Sequence, residues 1–237
     1  MKSKIKLWFG QSLWGDVKGL LNASQGVFCG FANRFGFRRR LRSVCGTDLL
    51  LHLGCGPRIQ DGWVNVDQFS FKGAYFADLR DPLELTAGAI RHIHCEHMLE
   101  HLDREEASRF LGECRRVLAP NGTMRLILPD AEKYLRAYAG EDEAFFFQLR
   151  HLGNAVNPLR HPITIINQMF RMGGGHRYAW DFTELTAALT EAGFENIQRS
   201  RFGDVETEYQ IDGPDEWRRH ESIYLNVFGK KIAAEVA

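Results

Sequence analysis

Short apolar runs alternate with helical patterns along most of the chain. Seven runs have the length and composition of strands: Leu49–Leu53, Trp63–Val66, Ala74–Ala77, Ile90–Cys95, Thr123–Leu128, Asn196–Ser200 and Ile223–Phe228. Segments with apolar positions at helical spacing lie between them. This alternation is typical of α/β domains that are built on a mostly parallel sheet. The pattern therefore predicts an α/β fold.

Two of the predicted helices carry clear end signals. Asp103 is followed three residues later by Glu106, which is the spacing of a capping box. Asp181 and Glu184 repeat this spacing before the second helix, and Gly193 is placed to end that helix. Both signals predict helices that start and stop within the alternating pattern.

The segment from about 131 to 178 interrupts the alternation. It contains the stretches EAFFFQLRHLG and NQMFRMGGGHRY, which are rich in aromatic and basic residues. We predict that this segment is an insertion that covers one end of the sheet.

Length and charge divide the chain into two parts. The chain has 237 residues, of which 44% are hydrophobic, and this is enough for one full core. The net charge is zero, but residues 1–45 hold nine Lys or Arg and one acid, and the remainder is acidic. We predict a basic amphipathic extension over residues 1–45 and one domain over residues 46–237.

Cysteine usage and hydropathy indicate a cytoplasmic protein. The five cysteines contain no C-x-x-C pair, which argues against a disulfide framework and against a zinc knuckle. The apolar stretch near the N-terminus is interrupted by Gln11, Asp16 and Lys18. It is too short to cross a bilayer, so neither a spanning helix nor a cleaved signal is expected.

Two glycines and an aspartate carry the first hint of a ligand. Gly54 and Gly56 follow the first strand, and Asp67 ends the next. In open parallel sheets, ligands bind beyond the carboxyl ends of the strands. The third glycine of a nicotinamide fingerprint is replaced by Ile59, which favours a ligand with a ribose but without a pyrophosphate. By itself the glycine pattern also fits a simple tight turn.

Four motifs in order resemble one enzyme family. LHLGCGPRIQDGWVNVD is followed by ADLRDPLEL, by HCEHMLEHLDREEASRFLGECRRVLAPNGTMRLILPD, and by HRYAWDFTELTAALTEAGFENI. Together they resemble the class I S-adenosylmethionine-dependent methyltransferases, and in particular the small bacterial methyltransferases of the type 11 kind. The resemblance spans roughly residues 48–200.

The resemblance implies a fold, a cofactor and a set of binding residues. The fold is a Rossmann-like, seven-stranded, mostly parallel sheet with helices on both faces and the last strand antiparallel. The cofactor is S-adenosylmethionine. Its implied contacts are Gly54, Cys55 and Gly56 at the methionine end, Asp67 at the ribose, Asp78 at the adenine, and Glu96 with His97 on the methyl side. Many members have an acid at the position of His52, so no role is carried over to that residue.

A zinc metallopeptidase is an alternative for the motif HMLEH. His97, Glu100 and His101 follow the H-x-x-E-H pattern of such enzymes. However, the motif follows a predicted strand and precedes the capping signal at Asp103, so only a short turn is available. We therefore expect no metal, and the methyltransferase interpretation has Glu100 and His101 holding the backbone of this loop.

The chemistry of the cofactor limits what the protein must supply. A sulfonium methyl is already electrophilic, so the main tasks are alignment of the acceptor and exclusion of water. A hydroxyl acceptor would in addition need a general base. His97 is the first candidate for this base, and His176, beside three glycines, is the second.

The acceptor is the least determined feature. The insertion suits a polar or saccharide acceptor, and the family resemblance points to envelope-linked biosynthesis. The basic N-terminal segment suits peripheral contact with anionic lipid at the inner face of the membrane. It equally suits a helix that packs on the domain. Nucleic acid in an RNA or DNA methyltransferase is a weaker alternative, because the rest of the chain is acidic and HCEH stands in place of an N-P-P-[FY]-like motif. A cofactor-binding module without catalysis is a further alternative.

Overall fold

The strands form one seven-stranded sheet that is mostly parallel with the last strand antiparallel, as the family resemblance implied. The computed structural model describes residues 40–69, 71–150 and 161–229. Its strands are β1 (Leu49–Leu53), β2 (Val64–Asp67), β3 (Tyr75–Phe76), β4 (Ile90–Glu96), β5 (Leu118–Pro129), β6 (Asn196–Ser200) and β7 (Ser222–Phe228). The order is β3-β2-β1-β4-β5-β7-β6. Strand β7 runs antiparallel to β5 and β6, and the other neighbours are parallel. The predicted fold class is confirmed.

All seven predicted strands are present, and the largest difference in length is in β5. The sequence predicted its start at Thr123, but pairing with β4 already begins at Leu118. The register then shifts between Ile90 and His92 of β4. Asn121 takes up the extra residues with a φ of 63°, and asparagine tolerates this conformation better than most residues do. The Pro-Asn-Gly signal therefore marks a bulge inside the strand.

Six α-helices lie within the described residues. They are α1 (Arg104–Val117), α2 (Ala131–Ala139), α3 (Glu143–Leu149), α4 (Pro162–Arg171), α5 (Phe182–Glu191) and α6 (Glu216–Glu221). Asp103 and Glu106 form the predicted capping box at the start of α1. Asp181 accepts a hydrogen bond from the backbone N–H of Glu184 at 2.8 Å, as its spacing predicted.

The main hydrophobic core lies on one face of the sheet. Alternate residues of the strands point to this face, and helices α1 and α5 pack on it. One row across the sheet consists of Val66, Leu53, Cys95, Leu126 and Leu225, which are paired in register. All five are fully buried, so this face holds the domain together by apolar burial.

The opposite face of the same strands is polar. The neighbouring row consists of Asn65, His52, His94, Arg125 and Asn226, again in register. The first four of these side chains are also buried. Because buried polar groups need partners, this face has to be satisfied by specific hydrogen bonds and ion pairs.

The predicted insertion builds a second, smaller cluster. Helix α2 starts directly after β5, and α2, α3 and α4 share the buried residues Ala131, Tyr134, Ala137, Phe145, Phe146, Leu149, Ile165, Ile166 and Met169. The segment therefore rises from the carboxyl end of β5, which is the end of the sheet where ligands bind in this architecture.

The packed domain begins earlier than residue 46. Leu41 is fully buried in the main core, and Arg40 forms an isolated parallel bridge with Phe76. The rest of the basic extension, residues 1–39, lies outside the described residues. No helix in the described ranges is long and apolar enough to cross a membrane.

Candidate active site

The glycine loop after β1 has a backbone that requires glycine. Gly54 has a φ of 65°, and a Cβ there would lie 2.7 Å from the Cγ of Met98. Gly56 has a φ of 54° and nothing within 4 Å of the place where its Cβ would be. The first glycine is therefore fixed by packing, and the second leaves one side of the backbone open for a ligand.

Asp67, at the end of β2, is fixed by two backbone donors. The N–H of Gly56 donates to its Oδ2 at 2.9 Å, and the N–H of Phe69 donates to its Oδ1 at 2.7 Å. A carboxylate offers about four acceptor positions. Each oxygen thus keeps a free lone pair, and a pair of neighbouring ligand hydroxyls can bind there.

A cavity of about 510 Å³ opens beyond the carboxyl ends of β1, β2 and β4. This volume lies within the usual range for small-molecule sites. The cavity is lined by Gly54, Asp67, Gln68, Phe69, Asp78, Leu79, Arg80, His97, Met98, His101, Leu102, Met172, Gly175 and Arg177. Residues from the glycine loop, from the ends of two strands and from the insertion therefore meet in one place.

Asp78 lines this cavity, but it already has a cationic partner. The Nε of Arg80 donates to its Oδ1 at 2.8 Å, and the Arg80 backbone N–H donates to the same oxygen at 3.1 Å. The hydrogen bond from the Arg80 side chain is the main reason that the pKa of Asp78 is lowered. The carboxylate is ionised, and its role at the adenine remains a prediction.

Glu96 and Cys55 point away from the cavity. The carboxylate of Glu96 accepts hydrogen bonds from Arg58 at 2.9 Å and Arg218 at 2.8 Å, and from the N–H of Gly213 at 2.9 Å. Burial favours a raised pKa for Glu96, but His94 and the two arginines outweigh burial and lower it. Burial, followed by the charge of Asp67, raises the pKa of the Cys55 thiol to about 12. Neither side chain is among the residues that line the cavity, and their implied contacts with the cofactor remain predictions.

The two predicted catalytic histidines converge on one buried carboxylate. The Nδ1 of His97 lies 3.4 Å from Oε1 of Glu100, and the Nε2 of His176 lies 4.0 Å from the same oxygen. His97 has a φ of 49° and its Nε2 is 3.0 Å from the Ser222 hydroxyl. Burial is the main cause of the lowered pKa of His176.

The motif HMLEH forms only a short turn, as the sequence predicted. Leu99–His101 is a single turn of 3-10 helix. The backbone carbonyl of Glu100 accepts the N–H of Arg177 at 2.8 Å, and the His101 ring donates to the carbonyl of Gly175 at 2.9 Å. These contacts join the turn to the end of the insertion, and the role of the two side chains in holding the turn's own backbone remains a prediction.

Some cavity residues had no signal in the sequence. Met172, Gly175 and Arg177 come from the end of the insertion. Arg177 is held by ion pairs with Asp103 at 2.7 Å and Glu106 at 2.6 Å, at the start of α1. A contact between positions more than 70 residues apart cannot be read from spacing, so only the run of glycines beside His176 hinted at it.

Comparison with known proteins assigns this site to a class of enzyme. Residues 63–126 match a protein family described as "Methyltransferase domain". The matched stretch runs from just before β2 into β5 and includes Asp67, Asp78 and the turn with Glu100. No curated protein matches the chain.

Solved structures similar to the chain include three methyltransferases. One is a SAM-dependent methyltransferase from Archaeoglobus fulgidus, with 13% identity over 86% of this chain and 94% of that chain and a TM-score of 0.47. Another, from Thermotoga maritima, has 15% identity over 80% and 86% and a TM-score of 0.45. A third, from Mesorhizobium loti, has 12% identity over 77% and 91% and a TM-score of 0.43.

The family match and the architecture agree on the enzyme class. The match covers β2, which carries Asp67, and the loop after β3, which carries Asp78. The chain therefore has the fold of class I methyltransferases and matches a methyltransferase domain over residues 63–126, and this match implies S-adenosylmethionine as the cofactor.

Proposed function

We propose that this methyltransferase transfers a methyl group to a hydroxyl of a polar small molecule, such as a saccharide or an envelope precursor. The observation that carries the proposal is the content of one cavity. Asp67 and the glycine loop lie in one part of it, and His97 and His101 line the same cavity. A cofactor site and a proton-handling or metal-binding cluster therefore share one space.

The residues present fit the cofactor. Asp67 keeps free lone pairs for the two ribose hydroxyls, and the open side of Gly56 leaves room for the methionine end. Asp78 is close enough to line the same cavity and is assigned to the adenine. When bound, S-adenosylmethionine supplies a methyl group on a positively charged sulfur, which is a strong electrophile.

The cluster around Glu100 favours an oxygen acceptor. A hydroxyl must lose its proton as the new bond forms, whereas a neutral amine or a carboxylate needs no such help. His97 and His176, the two predicted bases, both lie beside Glu100. Arg80 and Arg177 also line the cavity, where they are paired with carboxylates, and such polar surroundings suit a polar acceptor.

Replacement of Asp67 by alanine tests the cofactor site. We expect wild-type protein to bind S-adenosylmethionine in the micromolar range. Asp67→Ala leaves two ribose hydroxyls without partners, which costs about 1–3 kcal/mol and hence about 5-fold to 150-fold in affinity. Calorimetric titration measures this loss. The exposed Asp61→Ala is the matched control, and equal affinity in wild type and Asp67→Ala would contradict the assignment.

A panel of acceptors tests the substrate class. The protein is incubated with isotope-labelled S-adenosylmethionine and either saccharides, lipid-linked sugars, amines or RNA, and the products are analysed by mass spectrometry. We expect label on a saccharide oxygen. Label on RNA or on an amine, with none on a hydroxyl acceptor, would reject the proposed class.

We also propose that residues 1–39 dock the enzyme on anionic membranes. The support is their charge, since seven basic residues of the extension precede Arg40 and only Asp16 opposes them. Each is worth about 1 kcal/mol near an anionic surface. A protein that starts at Arg40 keeps the buried Leu41, and we expect it to bind cofactor but not to sediment with phosphatidylserine vesicles. Loss of cofactor binding would instead assign the segment to the fold.

A further inference from the structure

Three potential metal ligands lie together beside the cofactor cavity. Glu100, His101 and His176 each offer one ligand atom, and these atoms all lie within 4.8 Å of one another. We propose that these three residues bind one divalent metal ion of the zinc class, which activates the hydroxyl acceptor. The metal-binding site is inferred from geometry alone, whereas its catalytic role rests on the proposed function.

The carboxylate of Glu100 makes no hydrogen bond to the described residues, and histidine rings lie near it. The residue is buried, and neither of its oxygens has a hydrogen-bond partner among the described residues. Buried carboxylates are normally paired, hydrogen-bonded or bound to metal. Its nearest described neighbours are the rings of His97 and His176, at 3.4 and 4.0 Å. A bound cation would supply the missing partner for both oxygens.

The two histidine ligands are held in the tautomer that binds metal. The Nδ1 of His101 faces the carbonyl oxygen of Gly175, and the Nδ1 of His176 faces that of Met169. A carbonyl can only accept, so each Nδ1 must carry the proton. Each Nε2 is then left with a free lone pair. Metal-binding histidines usually donate their second nitrogen to a carbonyl or carboxylate in this way.

The ligands need a small movement to close on an ion. Zinc with ligands at about 2.1 Å in a tetrahedron requires ligand atoms about 3.4 Å apart, so a separation of 4.8 Å must shrink by about 1.4 Å. His176 follows Gly173 and Gly174, whose φ angles are 64° and 94°. Glycine adapts its backbone easily, so this loop can adjust.

The donor set favours a transition ion and leaves an open position. Imidazole nitrogens together with one carboxylate suit zinc and related ions, whereas magnesium prefers oxygen ligands. Three protein ligands with an open fourth position is the arrangement of catalytic zinc sites. His101 lines the cofactor cavity, so the open position can receive an acceptor oxygen from there.

The metal would act on the acceptor and leave the cofactor unchanged until transfer. Coordination lowers the pKa of a bound hydroxyl, and its proton leaves to water. A lone pair of the resulting oxygen forms the new O–C bond while the C–S bond breaks, and the sulfur keeps that electron pair. The products are a methyl ether and S-adenosylhomocysteine. In this proposal His176 is a metal ligand and no longer a general base. The proposal also departs from the expectation from sequence that the site holds no metal.

Titration with Zn²⁺ tests the site without any knowledge of the acceptor. Untagged protein is stripped with a chelator, dialysed, and titrated by calorimetry, and the bound zinc is counted by elemental analysis. We expect one zinc per chain. Glu100→Gln and His176→Gln remove a ligand with little change of shape, and each should weaken zinc binding by at least about 100-fold. His161→Gln removes an exposed histidine and should bind zinc like the wild type.

The outcomes separate the metal site from the proposed function. Absence of stoichiometric zinc in the wild type, or equal zinc binding in all four proteins, would overturn the site. The affinity for S-adenosylmethionine, measured on the same samples, should stay within about 2-fold of wild type, which also shows that the variants fold. Loss of zinc binding with cofactor binding intact supports the site, whatever the acceptor proves to be.

Discussion

Both faces of the sheet carry buried side chains, but those of one face are apolar and those of the other are polar or charged. Leu126 and Arg125 are neighbours in β5, and both are fully buried. Leu126 lies in a row of aliphatic and thiol side chains under α1 and α5. Arg125 lies in a row of amides and imidazoles, and its guanidinium binds Asp212 at 2.6 Å and Asn226 at 2.8 Å. One face needs only shape and volume, whereas the other needs particular partners.

This difference explains how the polar face fixes a neighbouring loop against the sheet. Apolar contacts have little direction, so the Leu126 row tolerates small shifts of neighbouring strands. A charge in the interior is stable only beside its partner. Asp212, in the loop before α6, and Glu96, at the end of β4, therefore fix that loop against the sheet through Arg125, Arg58 and Arg218.

The largest effect is expected from breaking the ion pair on the polar face. Arg125→Met leaves the buried Asp212 without its counter-charge, which costs about 3–5 kcal/mol in the free energy of unfolding. Urea unfolding followed by circular dichroism measures the loss. Addition of Asp212→Asn to this variant should recover part of it. A loss below about 1 kcal/mol for Arg125→Met would show that the ion pair with Asp212 contributes little to the stability of the domain.

A somewhat smaller effect is expected one residue further along the strand. Leu126→Ala opens a cavity in the apolar core and should cost about 3 kcal/mol, within the usual range of about 2–5 kcal/mol. The same unfolding experiment applies. Because Leu126→Ala changes no ionisable group and breaks no ion pair, the loss of unfolding free energy should be the same at pH 7 and pH 5.5. A pH-dependent loss would show that the two faces are energetically coupled.

The smallest expected effect is a change in the free energy of unfolding with pH. Only the polar face contributes to this change. Burial, followed by the neighbouring His94, lowers the pKa of His52 and of His92 to about 3. Below pH 6.5 the unfolded chain binds a proton that the folded chain refuses. The stability from each neutral histidine is thus complete above pH 6.5 and falls by about 1.4 kcal/mol per pH unit towards pH 3.

Replacement of one histidine isolates its contribution to the pH dependence of the unfolding free energy. His92→Gln should reduce the loss of unfolding free energy between pH 6.5 and pH 5 by about 2 kcal/mol relative to wild type. The comparison uses the slope, because the variant also loses the stacking of His92 on Tyr209. The exposed His161→Gln should leave the slope unchanged. An equal slope in His92→Gln and wild type would show that His92 is protonated in the folded protein.

Local patterns predicted most of the fold because they depend on near neighbours in the chain. The strand β1 and the capping box at Asp103 were predicted at the positions where the structure has them. The start of β5 was not, because a bulge is set by pairing with β4 and leaves only a turn signal in the sequence. The glycine loop and Asp67 were identified as a ligand site from their places after two strands.

The sequence by itself determined the α/β class and the seven strands, and it predicted where the cofactor site lies. These follow from periodicity and from motifs of a few residues. Only the tertiary structure decided that Glu96 turns towards arginines while His176 approaches Glu100. Both outcomes depend on segments more than 70 residues apart in the chain, the loop before α6 and the end of the insertion. Such contacts are selected by packing and charge pairing in the folded domain, and no spacing within the sequence encodes them.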